Sequence, residues 1–539
     1  MAWTRSRLLR RAALGVSLAV AAGIASATAS TADTLPANTP VTTTKPYSYQ
    51  EPWLAVDPMN PQRMAIAYRE GAQRSVCSLA LSSDGGATWQ TQGLIGPQGR
   101  LSWPAQDTLC YEAVAAFGPD GTLYYAAQAT ISFRDPFSRV FVTASPDGVA
   151  FHTPVDVDPA QARNPGDVGG GDWYPRLAVA PGSGTLIVRW THYASRNASA
   201  QSVIASSSDR GTTFSAPVVA SPPATPAASP VDSFGTALAA GQGGAVYTSW
   251  LDLTQRQAGC TGGRTALTST CSMKVPLEAA ASHDGGRTFG AAVVVDPAVD
   301  FGCPGRNVPG TTALASCDNL HFDRGPEAFS LIAGPGTGSA YLAWWGGDPE
   351  NLARISFAGT HDGGRTWSAP RTVGALRDAA QDEQQRPVLS VAPDGRIDMA
   401  YYDDTNGGDQ DVYLVSSDDG GATFTAPQLV TGTSSNINIG PVSEDGVHPG
   451  FGEWLGLTST NSAADIAWTD TRRGTVDSAK QDIYFAAVLL SAGTPLWVPI
   501  VAGAGGAALV MLIAVAVLGL RARARAESAD PARPAARRV

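Results

Sequence analysis

Ten carboxylates in this sequence stand beside stretches that read as strands. Glu51, Glu112, Asp172, Asp232, Glu327 and Glu453 come just ahead of one strand, and Asp252, Asp403, Asp404 and Asp470 just after another. Gathered on one face, such a set repels anions and attracts Ca²⁺ or a neutral or cationic ligand. Each acid also has a plainer use, tying down a loop through backbone N–H groups. The run 403–411 is the richest in oxygen, and Asp403, Asp404, Asp409 and Asp411 are its candidate calcium ligands, although the spacing is not that of an EF-hand. No other cofactor is required.

The elements that position these acids announce themselves as an internal repeat. Ser82-Ser83-Asp84-Gly85-Gly86-Ala87-Thr88-Trp89 recurs at 207–214, 282–289, 360–367 and 417–424, always as Ser/Thr-x-Asp-x-Gly-x-Thr-Trp/Phe. A degenerate sixth copy runs from Ser145 to Phe151. The pattern fits a tight hairpin: the aspartates (Asp84, Asp147, Asp209, Asp284, Asp362 and Asp419) accept backbone N–H bonds, glycine takes positive φ, and the aromatic residue enters the core. Two strand-like stretches and a third strand lead into each box, so strand, turn, strand, loop, strand, box, strand makes a four-stranded unit. Repeats of this length are the mark of a radial architecture. The expected fold is therefore an all-β propeller of four-stranded blades with Asp-box hairpins. A seventh unit, beginning near Trp454, has three strands and no box; the stretch Pro40–Tyr49 is the expected donor of its fourth. Seven blades result, with six and one aberrant unit as the alternative.

Composition agrees, since 58 Gly and 38 Pro in 539 residues punctuate many short strands, and 43% hydrophobic residues suffice for a large core. At the N-terminus Arg5, Arg7, Arg10 and Arg11 precede a small, apolar stretch, which reads as a signal peptide over 1–32. Residues 33–50 form an N-terminal, ring-closing segment, 51–490 the propeller and 491–495 a linker. Leu496–Leu520 carries no charge and is long enough for a bilayer core of roughly 30 Å. Arg521, Arg523 and Arg525 follow it, so 521–539 is a basic cytoplasmic tail by the positive-inside rule. The expected placement is a single-pass cell-membrane protein with its body outside. The formal net charge is −10, and removing the arginine-rich ends leaves the body more acidic still, which disfavours nucleic acid as a partner. An exported chain favours disulfides, and the cysteines fall into neighbours: Cys77 with Cys110, Cys260 with Cys271, Cys303 with Cys317. Metal ligation is the competing use.

The boxes, together with Gln385-Arg386-Pro387, Gly452-Glu453-Trp454-Leu455-Gly456 and Ala467-Trp468-Thr469-Asp470-Thr471-Arg472, resemble the Asp-box (bacterial neuraminidase repeat) proteins of the sialidase superfamily. The resemblance runs from about Glu51 to Leu490. It implies that the boxes are scaffold on the face opposite the active site. It further implies an arginine triad gripping a carboxylate, a tyrosine nucleophile activated by a glutamate, and an aspartate acid/base. By position, Arg176, Arg386 and Arg472 are the arginine candidates, with Arg69 and Arg324 behind them, and Tyr402 and Glu453 the remaining catalytic candidates. Each arginine has an inter-blade ion pair as its structural alternative. The chain departs from the family at the first strand, where Gln50-Glu51-Pro52-Trp53 stands in place of an Arg-Ile-Pro-like motif. The expectation is a surface-displayed module that binds an extracellular glycan or cell-envelope ligand, with exo-sialidase or a related glycoside hydrolase as the alternative.

Overall fold

The computed structural model describes residues 35–42, 48–71, 76–95, 100–101, 109–132, 135–159, 171–193, 200–221, 233–255, 274–300, 329–347, 353–374, 383–404, 409–441, 451–452 and 454–490. They belong to one compact unit that ends at Leu490. The signal segment 1–32, the span 496–520 and the tail 521–539 lie outside them. Among the described residues, no helix is long and apolar enough to cross a membrane.

Among the described residues the architecture is all-β, with two short 3-10 turns besides the strands. A short edge strand β1 (Thr39–Pro40) precedes seven groups. They are β2 (Tyr49–Val56), β3 (Met64–Glu70), β4 (Val76–Ser82) and β5 (Gln90–Ile95); β6 (Leu109–Phe117), β7 (Leu123–Ser132), β8 (Asp135–Ser145) and β9 (Val155–Asp156); and β10 (Gly171–Val179), β11 (Leu186–Tyr193), β12 (Ala200–Ser207) and β13 (Val218–Val219). Next come β14 (Ser233–Ala240), β15 (Val246–Asp252), β16 (Lys274–Ser282) and β17 (Val293–Asp300), then β18 (Ser330–Ala333), β19 (Ala340–Gly347), β20 (Ala353–Thr360) and β21 (Arg371–Val373). The last are β22 (Gln384–Val391), β23 (Ile397–Asp403), β24 (Asp411–Ser417) and β25 (Gln428–Leu429), and β26 (Gly456–Ser459), β27 (Ala463–Asp470) and β28 (Asp482–Leu489).

Each of the first six groups is an antiparallel meander of four strands. The second and third are joined into one eight-stranded sheet where Gly171 pairs in parallel with Ser138. In the seventh group β28 takes β1 as its outer neighbour, with Thr39 opposite Phe485. Val41 N and Tyr49 N extend that seam by donating to Ile483 O and Gln481 O.

The strands bury both faces, so they read as apolar, alanine-rich runs rather than as alternation. Strands β15, β23 and β27 are buried at every position. Seven apolar clusters fill the seams between consecutive groups. One example sets Ile187 and Ile204 of the third group against Leu238 and Val246 of the fourth. Another sets Leu54, Ile66 and Tyr68 of the first group against Ile483 and Phe485 of the seventh.

The boxes turn as their sequence requires. Ser82 Oγ donates to Asp84 Oδ1 at 2.8 Å and accepts from Gly86 N, while Thr88 donates to Asp84 through both its N–H and its hydroxyl. These bonds, the Thr88 hydroxyl foremost, hold the Asp84 carboxyl down at about 2. The degenerate copy keeps the turn: without the threonine, Asp147 accepts from Val149 N and Ala150 N instead. The box aromatic packs on the preceding group, Phe424 on Phe357 at 5.2 Å and Trp89 on Phe485 of the seventh group at 5.3 Å. Gly86 sits flush on that same ring. A Cβ there would come within 2.2 Å of Phe485, and φ is +85°. Cys77 of β4 and Cys110 of β6 form a disulfide between the first two groups. Cys260, Cys271, Cys303 and Cys317 lie outside the described residues.

Candidate functional site: the face where first strands begin

Register fixes which residues share a face. Val56 at the end of β2 lies opposite Met64, and Met64 opposite Ser82, which opens the box. The boxes thus stand where first strands end, and the opposite face gathers the starts of first strands with the ends of second strands. Connections there are long: β15 ends at Asp252 and β16 starts at Lys274. Long connections on a rigid scaffold are where binding sites are commonly built.

First strands also share a local distortion near their start. The pairing slips between Gln50 and Trp53, Trp173 and Arg176, and Gln385 and Val388, and again in β6 and β14. At three of these bulges a residue other than glycine holds positive φ immediately before a proline: Glu51 (61°), Tyr174 (56°) and Arg386 (55°). Proline denies the preceding residue its helical well. Each such conformation costs on the order of 1–3 kcal/mol and persists only where its surroundings enforce it, commonly at functional sites.

The acids expected here are buried and engaged. Glu51 lies 3.7 Å from Arg69, whose guanidinium faces the Tyr111 ring at 5.9 Å. Glu112 is buried on β6. Asp172, fully buried, accepts from His192 Nδ1 at 2.9 Å; burial raises its pKa, and His192 opposes the rise. Asp252 accepts from Thr254 N, and burial followed by the charge of Asp252 raises Glu278. Asp232, Glu327 and Glu453 lie outside the described residues, as does Arg324.

The three arginine candidates have separate employments. Arg472 grips Asp470 with two prongs, Nε to Oδ1 at 2.9 Å and Nη2 to Oδ2 at 2.7 Å. It also reaches Asn38 Oδ1 and covers the Tyr484 ring at 4.2 Å. Arg176, 2% exposed, lies over Trp454 at 3.9 Å and Trp53 at 5.1 Å, which ties the third group to the seventh and the first. Arg189, its register partner, is fully buried; desolvation first, and the Arg176 charge second, pull it down to about 9. Arg386 acts electrostatically on Tyr402. Burial pushes the Tyr402 hydroxyl well above its ordinary value, and that hydroxyl is held by the Thr469 backbone, accepting from N at 3.1 Å. The fold therefore sets Arg386 next to Gln385, the register partner of Tyr402, and gives Arg472 a different task.

The calcium candidates turn to local donors. Asp404 Oδ1 accepts from Glu383 N at 2.6 Å, Asp403 Oδ2 from Gln384 Nε2 at 3.2 Å, and Asp411 from Thr431 and Ser434. No group of three or more metal-ligating side chains stands close enough to hold an ion among the described residues.

Sequence reasoning passed over His192 and a set of buried glutamines. Gln50, Gln128, Gln384, Gln385, Gln410 and Gln481 are each at most 3% exposed, whereas glutamine is ordinarily a surface residue. Gln384-Gln385 ahead of Arg386-Pro387 was the one legible signal, a polar pair opening a buried strand.

Residues 338–471 match the family described as BNR repeat-like domain. That stretch, which holds most of the fifth group, the sixth, and most of the strands of the seventh, is thus similar to a BNR repeat-like domain. Among solved structures it is similar to the Hadza microbial sialidase Hz136, at 15% identity over 79% of this chain and 73% of that one, with a TM-score of 0.41. It is also similar to an ulvan lyase of polysaccharide lyase family PL25 (12% identity, 83% and 96% covered, TM-score 0.46). The alpha-L-arabinanase of Penicillium chrysogenum matches at 13% identity with 68% and 94% covered and a TM-score of 0.40. No curated protein sequence matches the chain.

Proposed function

We propose that this chain is an exported, membrane-anchored BNR propeller of seven blades that binds an extracellular glycan or cell-envelope ligand on the face opposite its boxes, without hydrolysing it. Support for seven blades comes from the seams, since the seventh group packs on the first as each other group packs on its successor. Support for the anchor is the uncharged run 496–520 followed by arginines.

The observation that carries the binding reading is the fate of the arginines. A sialidase must leave convergent guanidinium charge for its substrate carboxylate. Here Arg472 spends both prongs on Asp470, and Arg176 is sandwiched by tryptophan rings. Buried carboxylates and amides dominate the rest of the face. Hydrolysis is favoured by one feature, the charge of Arg386 beside Tyr402. The discriminating experiment is turnover of a fluorogenic sialoside by the full chain, for which none is expected.

A further inference from the structure

Resting on that reading, we infer that Asp252 and Glu278 of the fourth group form a subsite for a cationic amino group on the glycan, the ammonium of an unacetylated hexosamine.

Register brings the two acids together. Asp252 ends β15 on the candidate face, and Glu278 of β16 lies opposite Trp250, two residues before Asp252. Residues two apart on a strand share a side, so Trp250, Asp252 and Glu278 all project to the same side of the sheet. Both acids are buried. The pairing of β16 with β17 slips beside Glu278, a distortion of the kind that re-aims a side chain. Asp252 Oδ1 accepts from the N–H and the hydroxyl of Thr254, and its Oδ2 from Gln255 Nε2 at 2.5 Å. Glu278 Oε1 has only a distant share of that same nitrogen, at 3.4 Å. One amide nitrogen thus bridges two carboxylates. Trp250 is fully buried, and its Nε1 has no hydrogen-bond partner. That indole is nonetheless directed at Glu278: burial first and the Asp252 charge second raise the Glu278 carboxyl, and Trp250 opposes the rise as a donor does.

What this pair lacks is positive charge. Other buried acids of the face have a cationic side chain, Glu51 facing Arg69, Asp172 bonded to His192 and Asp470 gripped by Arg472. Among the described residues no lysine, arginine or histidine pairs with Asp252 or Glu278. The group between them is instead a neutral amide on an exposed residue, Gln255, at the end of the short 3-10 turn Leu253–Gln255. That amide nitrogen marks where a better donor would sit. An ammonium in its place reaches both carboxylates with three donors and a full charge, where the amide has two donors and none. A metal ion needs more ligands than the pair supplies, and no third metal-ligating side chain joins it among the described residues. A sugar acid would meet two like charges and be repelled.

The test uses the full chain in detergent, with titration calorimetry and an array of neutral, acidic and amino-sugar glycans. The calorimetric probes are glucosamine oligosaccharides and their N-acetylated counterparts of equal length, which share rings and linkages but carry no charge. The glucosamine series should bind about ten-fold or more tightly than the acetylated one. Glu278→Gln keeps the shape, removes one charge and relieves its repulsion with Asp252. It should therefore melt no lower than wild type while weakening the glucosamine series by about ten-fold or more. Gln255→Ala removes the neutral occupant and should tighten that series, which a purely structural role for Gln255 would not do. Equal binding of the two series, or glucosamine binding unchanged in Glu278→Gln and in Gln255→Ala, would overturn the subsite. An array that shows other glycans bound but no amino sugar would overturn the subsite and leave the binding face intact. An array on which wild type binds nothing would overturn the subsite together with the reading it rests on.

Discussion

Asp465 is the residue at which the fold makes the sharpest energetic statement. Its counterpart in the sixth group is Asp398, placed equally on the second strand with Asp403 and Asp470 five residues on. Asp398 is fully neutralised: Arg396 grips it through Nε and Nη2 at 2.9 Å each, and Ser416 donates at 2.6 Å from the facing strand. In the seventh group both partners are gone. Ala463 stands where Arg396 would be, and Ala487 is the register partner of Asp465 where Ser416 faces Asp398. Asp465 is 3% exposed, and burial, with no charge to offset it, lifts its carboxyl from 3.8 to about 7. A shift of roughly three units corresponds to about 4 kcal/mol. Because the folded value is raised, the native chain holds the proton longer than the unfolded one. The stability is therefore complete below about pH 4, declines as pH rises, and has been lost once pH passes about 7. Asp465→Asn keeps the shape and removes the titration. Urea unfolding followed by tryptophan fluorescence at pH 5 and pH 8 should show wild type losing up to about 2.6 kcal/mol between them, since part of the loss is already complete at pH 5, and the asparagine variant losing clearly less. An unchanged pH slope in the variant would refute the reasoning, since the drop would then come from other groups.

Two further predictions concern packing. Gly86→Ala should lower the melting temperature more than Gly285→Ala, because both glycines hold positive φ but only the first Cβ meets a ring, whereas nothing lies within 4 Å of the second. Arg396→Met should destabilise by on the order of 3–5 kcal/mol, since it leaves Asp398 buried and uncompensated and also removes the bonds from Arg396 to the carbonyls of Thr460 and Asn461.

How much of this was legible in the sequence follows from what each feature demands locally. A box turn fixes Ser, Asp, Gly and Thr at set offsets because each makes a bond within the same few residues, so five copies stood out and the sixth survived as Asp147 with two substitute donors. The pairing of Cys77 with Cys110 was read from proximity and the exported setting. The site was less legible because its chemistry depends on distant partners. Arg472 looked available as a carboxylate clamp, yet Asp470, two residues before it, fills both prongs. Asp172 was visible as an acid opening a strand, but its bond to His192 needed the register of β10 against β11. The buried glutamines carry no sequence mark that separates them from surface ones, and the strain at Glu51, Tyr174 and Arg386 was hinted at only by the proline after each.

The most direct measurement of the central claim is hydrolysis of a fluorogenic sialic acid conjugate by the full chain, run beside Arg386→Lys with melting temperatures for both. Lysine retains the charge but cannot make the two-pronged contact a sialic acid carboxylate requires. The account predicts no turnover from either protein. Clear turnover by wild type, abolished in Arg386→Lys at an unchanged melting temperature, would contradict it and make Arg386 and Tyr402 parts of a working glycosidase.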